Sequence, residues 1–412
     1  MIDLKKKFLI YGFGISGKSI SKYLKRKNAY YKIYDDYSDL SKNKDSIDLG
    51  YLKKNITLFD YFVVSPSIKI DKKHILYAFQ KKILIDLDFL SLELNNQIVI
   101  GVTGTEGKST ICFYLFQYLS NFYNPIIIGN YGNTILDKHN IQSLLIKTKV
   151  IIVELSSYQL DKIKYLRLNH AIITNIYPDH LRYHGSFLNY IKSKFKIQSL
   201  LVDNGYLHIS NLDKRRYSKL IKINTKNINS ISNLNIKNKI FGFDINLHNE
   251  HFTQKILLTS GLKYNPNLRL KNLPFRNELI DNKSELIIIN DSKSTNLENS
   301  LLKINQINLK QKIIILGGIP KKSINIRTKV RNSLVLIFGP SRFHIIKKLD
   351  FKNSKFFTFN DLEELFKFLN VIIHQLKIDI ILFSPGGESF DQFEDYYHRG
   401  LTFNKYIRKF KI

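Results

Sequence analysis

Lys108 and Ser109 stand in the stretch GVTGTEGKST (101–110), directly after the apolar run QIVIGVT. A lysine and a hydroxyl residue opening a helix behind a glycine turn can hold a triphosphate. Backbone amides wrap the phosphate oxygens, the ammonium neutralises β/γ charge, and the hydroxyl reaches Mg²⁺. The strict pattern G-x-x-x-x-G-K-[ST] is missed by one position, because five residues separate Gly101 from Gly107. The expected triphosphate-binding run is Gly104, Thr105, Glu106, Gly107, Lys108, Ser109 and Thr110; the alternative is a bare strand-to-helix turn.

A second glycine cluster, GFGISG, carries Gly12, Gly14 and Gly17, and Asp35 ends the next apolar run. That is the fingerprint of a diphosphate-bearing nucleotide, in which glycines admit the phosphate and a helix start supplies donors. A ligand-free tight turn is the alternative. Glu154 closes the run KVIIVE. A carboxylate on so apolar a strand needs a cation, and Mg²⁺ is a hard ion that takes oxygen ligands; an ordinary strand-end acid is the competing reading. His180 and His184 have the i, i+4 spacing of a zinc pair, but no third ligand of zinc type stands nearby.

These groups need a scaffold. KKFLIYG, YYKIYDD and DYFVVSP read as strands in the first part of the chain. QIVIGVTG, KVIIVEL and HAIITNI follow in the middle, and IIIND, KIIILGG, LVLIFGP and DIILFSPGG come last. β-branched runs separated by amphipathic stretches predict parallel sheets with crossover helices, an α/β fold. Three such series predict three domains: residues 1–93 Rossmann-like, 94–272 a phosphate-loop ATPase type with a mainly parallel sheet, and 273–412 Rossmann-like again. INTKNINSISNLNIKNK (222–238) reads as a surface loop or a degraded edge element.

Composition sets limits. The 412 residues are 44% hydrophobic, enough for ordinary cores. MIDLKKKFLIYGFGISG reads as a first strand rather than a signal peptide, because its short apolar stretch runs into glycines, a lysine and a polar helix pattern. No run is long enough for membrane insertion. The single cysteine, Cys112, excludes an internal disulfide and fits a reducing, cytoplasmic setting. The net charge of +30 is spread along the chain, as codon bias would give, instead of gathering into a nucleic-acid stripe.

TGTEGKS, followed in order by VELSSYQL (153–160), NIYPDHL (175–181), LPFRNELI (273–280), NDSKSTN (290–296) and SPGGESFDQFEDYYHRG (384–400), resembles the Mur ligases over nearly the full length. Folylpolyglutamate synthase shares the loop pattern. NDSKSTN and SPGGESFDQF resemble the D-glutamate-adding branch. The resemblance implies an ATP- and Mg²⁺-dependent monomer in the cytoplasm. It would join D-glutamate to UDP-N-acetylmuramoyl-L-alanine through an acyl phosphate, for peptidoglycan synthesis.

Residue by residue, the resemblance implies catalytic roles for Lys108, Glu154, His180, Lys194 and Arg276. Ser109, Glu154, His180 and Lys194, as a carbamate, would serve metal ions. Asn249, Arg276 and Asp291 join the loop around ATP. Ile15, Ser16, Asp35, Asn130, Ser156 and Gln159 surround the UDP substrate. Lys293, Thr295, Lys321, Ser389, Phe390 and Tyr396 take D-glutamate. The chain departs from the family pattern at Glu106 (usually Asn), at Arg182-Tyr183 (usually Asp-Arg), at Phe252 (usually Asn) and at Phe275 (usually His).

Three other readings compete. A sister Mur or folylpolyglutamate-type ligase shares the loop but not the NDSKSTN and SPGGESFDQF blocks. A nicotinamide oxidoreductase leaves GTEGKS unexplained, and a nucleic-acid binder rests on charge alone. An acid beside a triphosphate is unfavourable unless it points away. Glu106→Asn is therefore expected to leave the KM for ATP unchanged or lower in steady-state assays, and a clear rise contradicts an outward Glu106.

Overall fold

The computed structural model describes residues 2–409 except 42, 132, 133, 135, 139, 140, 233–242, 281–285, 298, 299, 302, 303, 305, 306, 308, 310 and 321–327, and excludes the side chains of 243–246 and 328. Three sheets carry it. The first contains β1 (Phe8–Tyr11), β2 (Tyr31–Tyr34), β3 (Tyr61–Val64) and β4 (Ile83–Leu84), all parallel, in the order β2-β1-β3-β4. The second contains β5 (Ile98–Thr103), β6 (Ile126–Gly129), β7 (Val150–Glu154), β8 (Leu168–Ile173), β9 (Leu201–Ser210) and β10 (Ile228–Ile231). Its order is β10-β9-β8-β5-β7-β6, again all parallel.

The third sheet contains β11 (Glu278–Ile280), β12 (Ile287–Asn290), β13 (Lys312–Gly317), β15 (Ser333–Phe338), β17 (Lys355–Phe359) and β18 (Ile380–Phe383), ordered β11-β12-β18-β13-β15-β17. Only β11 runs antiparallel, at the edge. A two-stranded pair joins β14 (Thr328–Lys329) to β16 (Leu349–Asp350). Central strands such as VIIVE and KIIILG are buried along their whole length. This is the pattern of parallel sheets covered on both faces.

The contacts group these sheets into two compact units. Residues up to 232 with Asn249–Leu270 form the first, and residues from Lys271 onward belong to the second. The first two sheets lie in one unit because they share one apolar core: Phe8, Ile10, Tyr23 and Phe89 belong to the same buried cluster as Val99, Ile151, Leu155 and Leu166. A polar staple reinforces it. Asp88, fully buried, accepts from the backbone amides of Lys164 and Tyr165, each at 2.7 Å, and from that of Ile85 at 2.9 Å.

The segment 222–238 supplies β10, an edge strand, as far as residue 232; the remainder lies outside the described residues. Among the described residues no helix is long and apolar enough to cross a membrane.

In the first two sheets the chain reverses direction around one strand, β1 and then β5. Such switch points open a crevice at the carboxyl ends of the strands. GFGISG leaves β1 and TGTEGKS leaves β5, so both glycine loops emerge there.

The helix Phe243–Ser260 packs against the helix Lys108–Tyr123 through Phe252, Ile256 and Leu257, which share a core cluster with Ile111, Cys112 and Leu115. Phe252 thus fills core volume where the family pattern has a polar residue. Phe252→Asn is expected to destabilise the fold by about 3 kcal/mol, through lost apolar burial and an unpaired amide. Urea unfolding checks it, and an unchanged midpoint contradicts the packing role.

Candidate functional site

Gly104 has φ +147°, and a Cβ there would lie 1.8 Å from Thr174 Oγ1. Gly107, with φ +77°, caps the helix Lys108–Tyr123, and a Cβ would lie 2.8 Å from Asn249 Oδ1. Both positions need glycine because of conformation and close approach together. The residues after β8 brace the loop. Thr105 N donates to Asn175 O and Glu106 N to Asn175 Oδ1, both at 2.9 Å, while Thr174 Oγ1 donates to Glu106 O at 2.6 Å. Glu106 is half-buried. Ser109 and Thr110 are buried in the first turn of the helix.

Two lysines meet on one carbonyl. Lys108 Nζ donates to Gly104 O and Thr105 O, both at 2.9 Å, and Lys194 Nζ donates to the same Gly104 O at 2.6 Å. Lys194 is only 2% exposed, with its ammonium 4.6 Å from the Tyr190 ring centroid. Burial, reinforced by the Lys108 charge, holds its pKa well below the usual lysine range, against the opposite pull of Asp179 and Glu154.

Glu154, at the end of β7, is 2% exposed. Its Oε1 accepts from Asn130 Nδ2 at 2.9 Å, but Oε2 is buried with no hydrogen-bond partner. A buried acceptor left so is unfavourable by about 1–3 kcal/mol. This donor set fits a hard divalent cation at Glu154.

His180 has φ +52° and caps the short helix Leu181–His184. Its Nδ1 is 2.8 Å from Tyr158 Oη, and its Nε2 is 3.4 Å from Asp179 Oδ2. His184 is held differently: Nε2 lies 2.9 Å from Ser157 Oγ and Nδ1 3.5 Å from Asp161 Oδ2. Tyr183, at one of the departures, accepts from Lys162 Nζ at 2.6 Å, and the same ammonium donates to Pro66 O at 2.7 Å. Burial pushes the Lys162 pKa down to about 8.

Five of the six residues expected around the UDP substrate, Ile15, Ser16, Asn130, Ser156 and Gln159, line one cavity of about 270 Å³. Asp35 does not line it. Its Oδ2 accepts from Phe13 N at 2.6 Å, and its Oδ1 from Tyr37 N and Ser38 N at 2.9 and 2.8 Å. Asp35 therefore shapes the glycine loop from the end of β2. Although desolvation works the other way, these amides hold its carboxyl below the usual range.

In the second unit, Asp291 follows β12 and is buried; Oδ2 accepts from Ser384 Oγ at 2.9 Å and Oδ1 from Asn277 N at 3.3 Å. Lys293 Nζ lies 3.9 Å from the Tyr396 ring centroid. Arg276 and Thr295 are half-buried, Ser389 is buried, and Phe390 is 70% exposed. Lys321 lies outside the described residues. Phe275, where the family pattern has His, is buried with φ +58°, and its ring stands where a Cβ on Gly400 would be, within 2.4 Å.

Sequence reading missed Arg399, although HRG is visible. It is fully buried and donates to Ser292 O at 2.6 Å, Ser292 Oγ at 3.1 Å and Gly387 O at 3.0 Å, joining two motif loops. It also missed Lys162, which carries no local motif signal, and Asn175 and Tyr158, which lay unweighted inside NIYPDHL and ELSSYQL.

Residues 102–271 match the Mur ligase middle domain. A UDP-N-acetylmuramoylalanine--D-glutamate ligase of Prochlorococcus marinus (strain MIT 9515) is 31% identical, over 98% of this chain and 95% of that protein. One of the same name from Francisella tularensis subsp. novicida (strain U112) is 28% identical, over 97% and 95%. Among solved structures, the MurF ligase from Thermotoga maritima in complex with ADP aligns with a TM-score of 0.55 at 16% identity, over 99% of this chain and 100% of that one. That likeness speaks for the fold. With the phosphate loop, the buried glutamate and a relative matched along almost its whole length, the chain belongs to the Mur ligase family of ATP-dependent peptidoglycan-precursor ligases.

Proposed function

We propose that this ligase adds D-glutamate to UDP-N-acetylmuramoyl-L-alanine, cleaving ATP to ADP and phosphate, in the cytoplasm. The substrate carboxylate takes the γ-phosphoryl group and ADP leaves. The amine of D-glutamate then attacks the acyl carbon, and phosphate leaves as the amide forms. Both steps bring anions together, so the site must concentrate positive charge. The observation that carries the reading is Lys108 held against the carbonyls of the glycine loop, in the same unit as the partnerless oxygen of Glu154. The full-length relatives named for D-glutamate addition favour that step over a sister one.

Gly104 to Thr110 hold the triphosphate, and Asn249, whose amide lies against Gly107, takes the nucleoside. Arg276 and Asp291 are the ATP positions that the family pattern assigns to the second unit. Glu154, His180 and Ser109 would hold Mg²⁺, which supplies neutralisation of phosphate charge when bound. Ile15, Ser16, Asn130, Ser156 and Gln159 receive the UDP substrate, with Asp35 ordering the loop beside them. Lys293, Thr295, Ser389, Phe390 and Tyr396 receive D-glutamate.

The depressed pKa of Lys194 supports carbamylation, since only the neutral amine adds CO₂; a C–N bond forms and one proton is released. The product is an anion next to Lys108, which turns a repulsion into an attraction.

With UDP-N-acetylmuramoyl-L-alanine, D-glutamate, ATP and Mg²⁺, the enzyme is expected to release ADP and form the dipeptide product, read by mass spectrometry. D-Glutamate should exceed other amino acids, and no dipeptide product overturns the reading. Glu154→Gln is expected to lower kcat by about a hundredfold, and wild-type turnover by that variant overturns the metal role. ¹³C-Bicarbonate should give a carbamate carbonyl signal by NMR that Lys194→Gln lacks, and its absence in the wild type overturns carbamylation.

A further inference from the structure

The cavity that gathers Ile15, Ser16, Asn130, Ser156 and Gln159 has another wall, which the proposed chemistry leaves unused. Asp86, the first residue of the short helix Asp86–Leu90, and Ser19, on the helix Ile15–Arg26, belong to it. Asp86 Oδ1 and Ser19 Oγ are both shut off from solvent, and neither has a hydrogen-bond partner. Buried polar atoms are nearly always paired. Two unpaired ones at a single cavity point to a ligand group bearing both a donor and an acceptor. Asp86 is half-buried and Ser19 buried, and both residues line the cavity. Leu87, Leu90 and Leu136 give the same cavity an apolar patch.

A diphosphate does not fit this wall. It offers acceptors alone, which leaves the acceptor oxygen of Asp86 without a donor. A secondary amide with a short acyl group does fit, through its N–H, its C=O and its methyl. Burial pushes the Asp86 carboxyl up, against hydrogen bonds from Ser16 and the amides of Leu87 and Asp86 itself. A polar but uncharged ligand group suits such an acid.

We infer that Asp86 is a specificity-determining residue for the acylamino group of the sugar nucleotide. It accepts the amide N–H, Ser19 donates to the amide carbonyl, and the acyl methyl packs on Leu87, Leu90 and Leu136. The inference rests on the assignment of this cavity to the UDP substrate under the proposed function.

Calorimetric titration of the full chain tests it, using UDP-N-acetylmuramoyl-L-alanine and an analogue with hydroxyl in place of the acetamido group. The wild type is expected to bind the parent at least about tenfold more tightly than the analogue. Asp86→Ala should lose about tenfold on the parent and little on the analogue. Asp86→Asn, which keeps an acceptor oxygen, should retain most of the preference. Ser19→Ala should show the same selective loss as Asp86→Ala, and it carries the test if Asp86→Ala does not fold. Equal wild-type affinity for the two ligands overturns the inference alone, as does an equal loss on both in the variants. A wild type that binds neither ligand overturns the proposed function and the inference with it.

Discussion

Like charges held close together in a dry place are the constraint on which this site turns. The Gly104 carbonyl is the acceptor for two lysine side chains, one of them so buried that charging it is disfavoured, and a buried glutamate in the same unit keeps one oxygen unmatched. Neither arrangement is comfortable in an isolated chain. Buried like charges repel strongly, and a buried acceptor without a donor loses its hydration. Both ease when groups of opposite charge are brought to them. The backbone is built to hold this geometry before they arrive: Asn175 and Thr174 pin the loop, and positive φ at Gly104 and Gly107 lets neighbouring side chains close in.

The second unit prepares its own loops by a different device. Arg399 is spent on carbonyls and a hydroxyl of the 292 and 387 loops rather than on a carboxylate. Burial brings its pKa down to about 10, against the pull of Asp391 and Asp291. Asn290 Nδ2 reaches Gly400 O and Asn404 Oδ1 at 3.0 and 2.7 Å. The NDSKSTN and HRG segments are therefore one packed object, and much of what looks like a binding motif is the frame that positions Lys293 beside Tyr396.

Fold class was legible because the strands are runs of Ile and Val with glycine or proline close behind, and period and punctuation survive even a Lys- and Asn-rich background. The glycine loops were legible because glycine is required there for steric reasons. Grouping into units was less so. Three series of strands predict three domains, and what they leave unread is that the apolar surfaces of the first two sheets merge into one core, because nothing local in a sequence reports which surfaces face each other. Three departures from the family pattern have packing reasons that no motif reports: Phe252 and Phe275 fill core volume, and Tyr183 takes a hydrogen bond from a buried lysine. Asp35 kept the right neighbourhood but works on backbone amides, which a spacing rule cannot distinguish from ligand contact.

The Asp88 staple has a mechanical corollary. One carboxylate spans the end of the first sheet and the 164–165 turn of the second, through three amides in a dry interface. Sliding these sheets past each other would strip the two amides of Lys164 and Tyr165 at once and leave one buried carboxylate oxygen bare. The cavity lined by Ile15, Asn130 and Gln159, walled by residues from both, is accordingly a braced socket rather than a jaw.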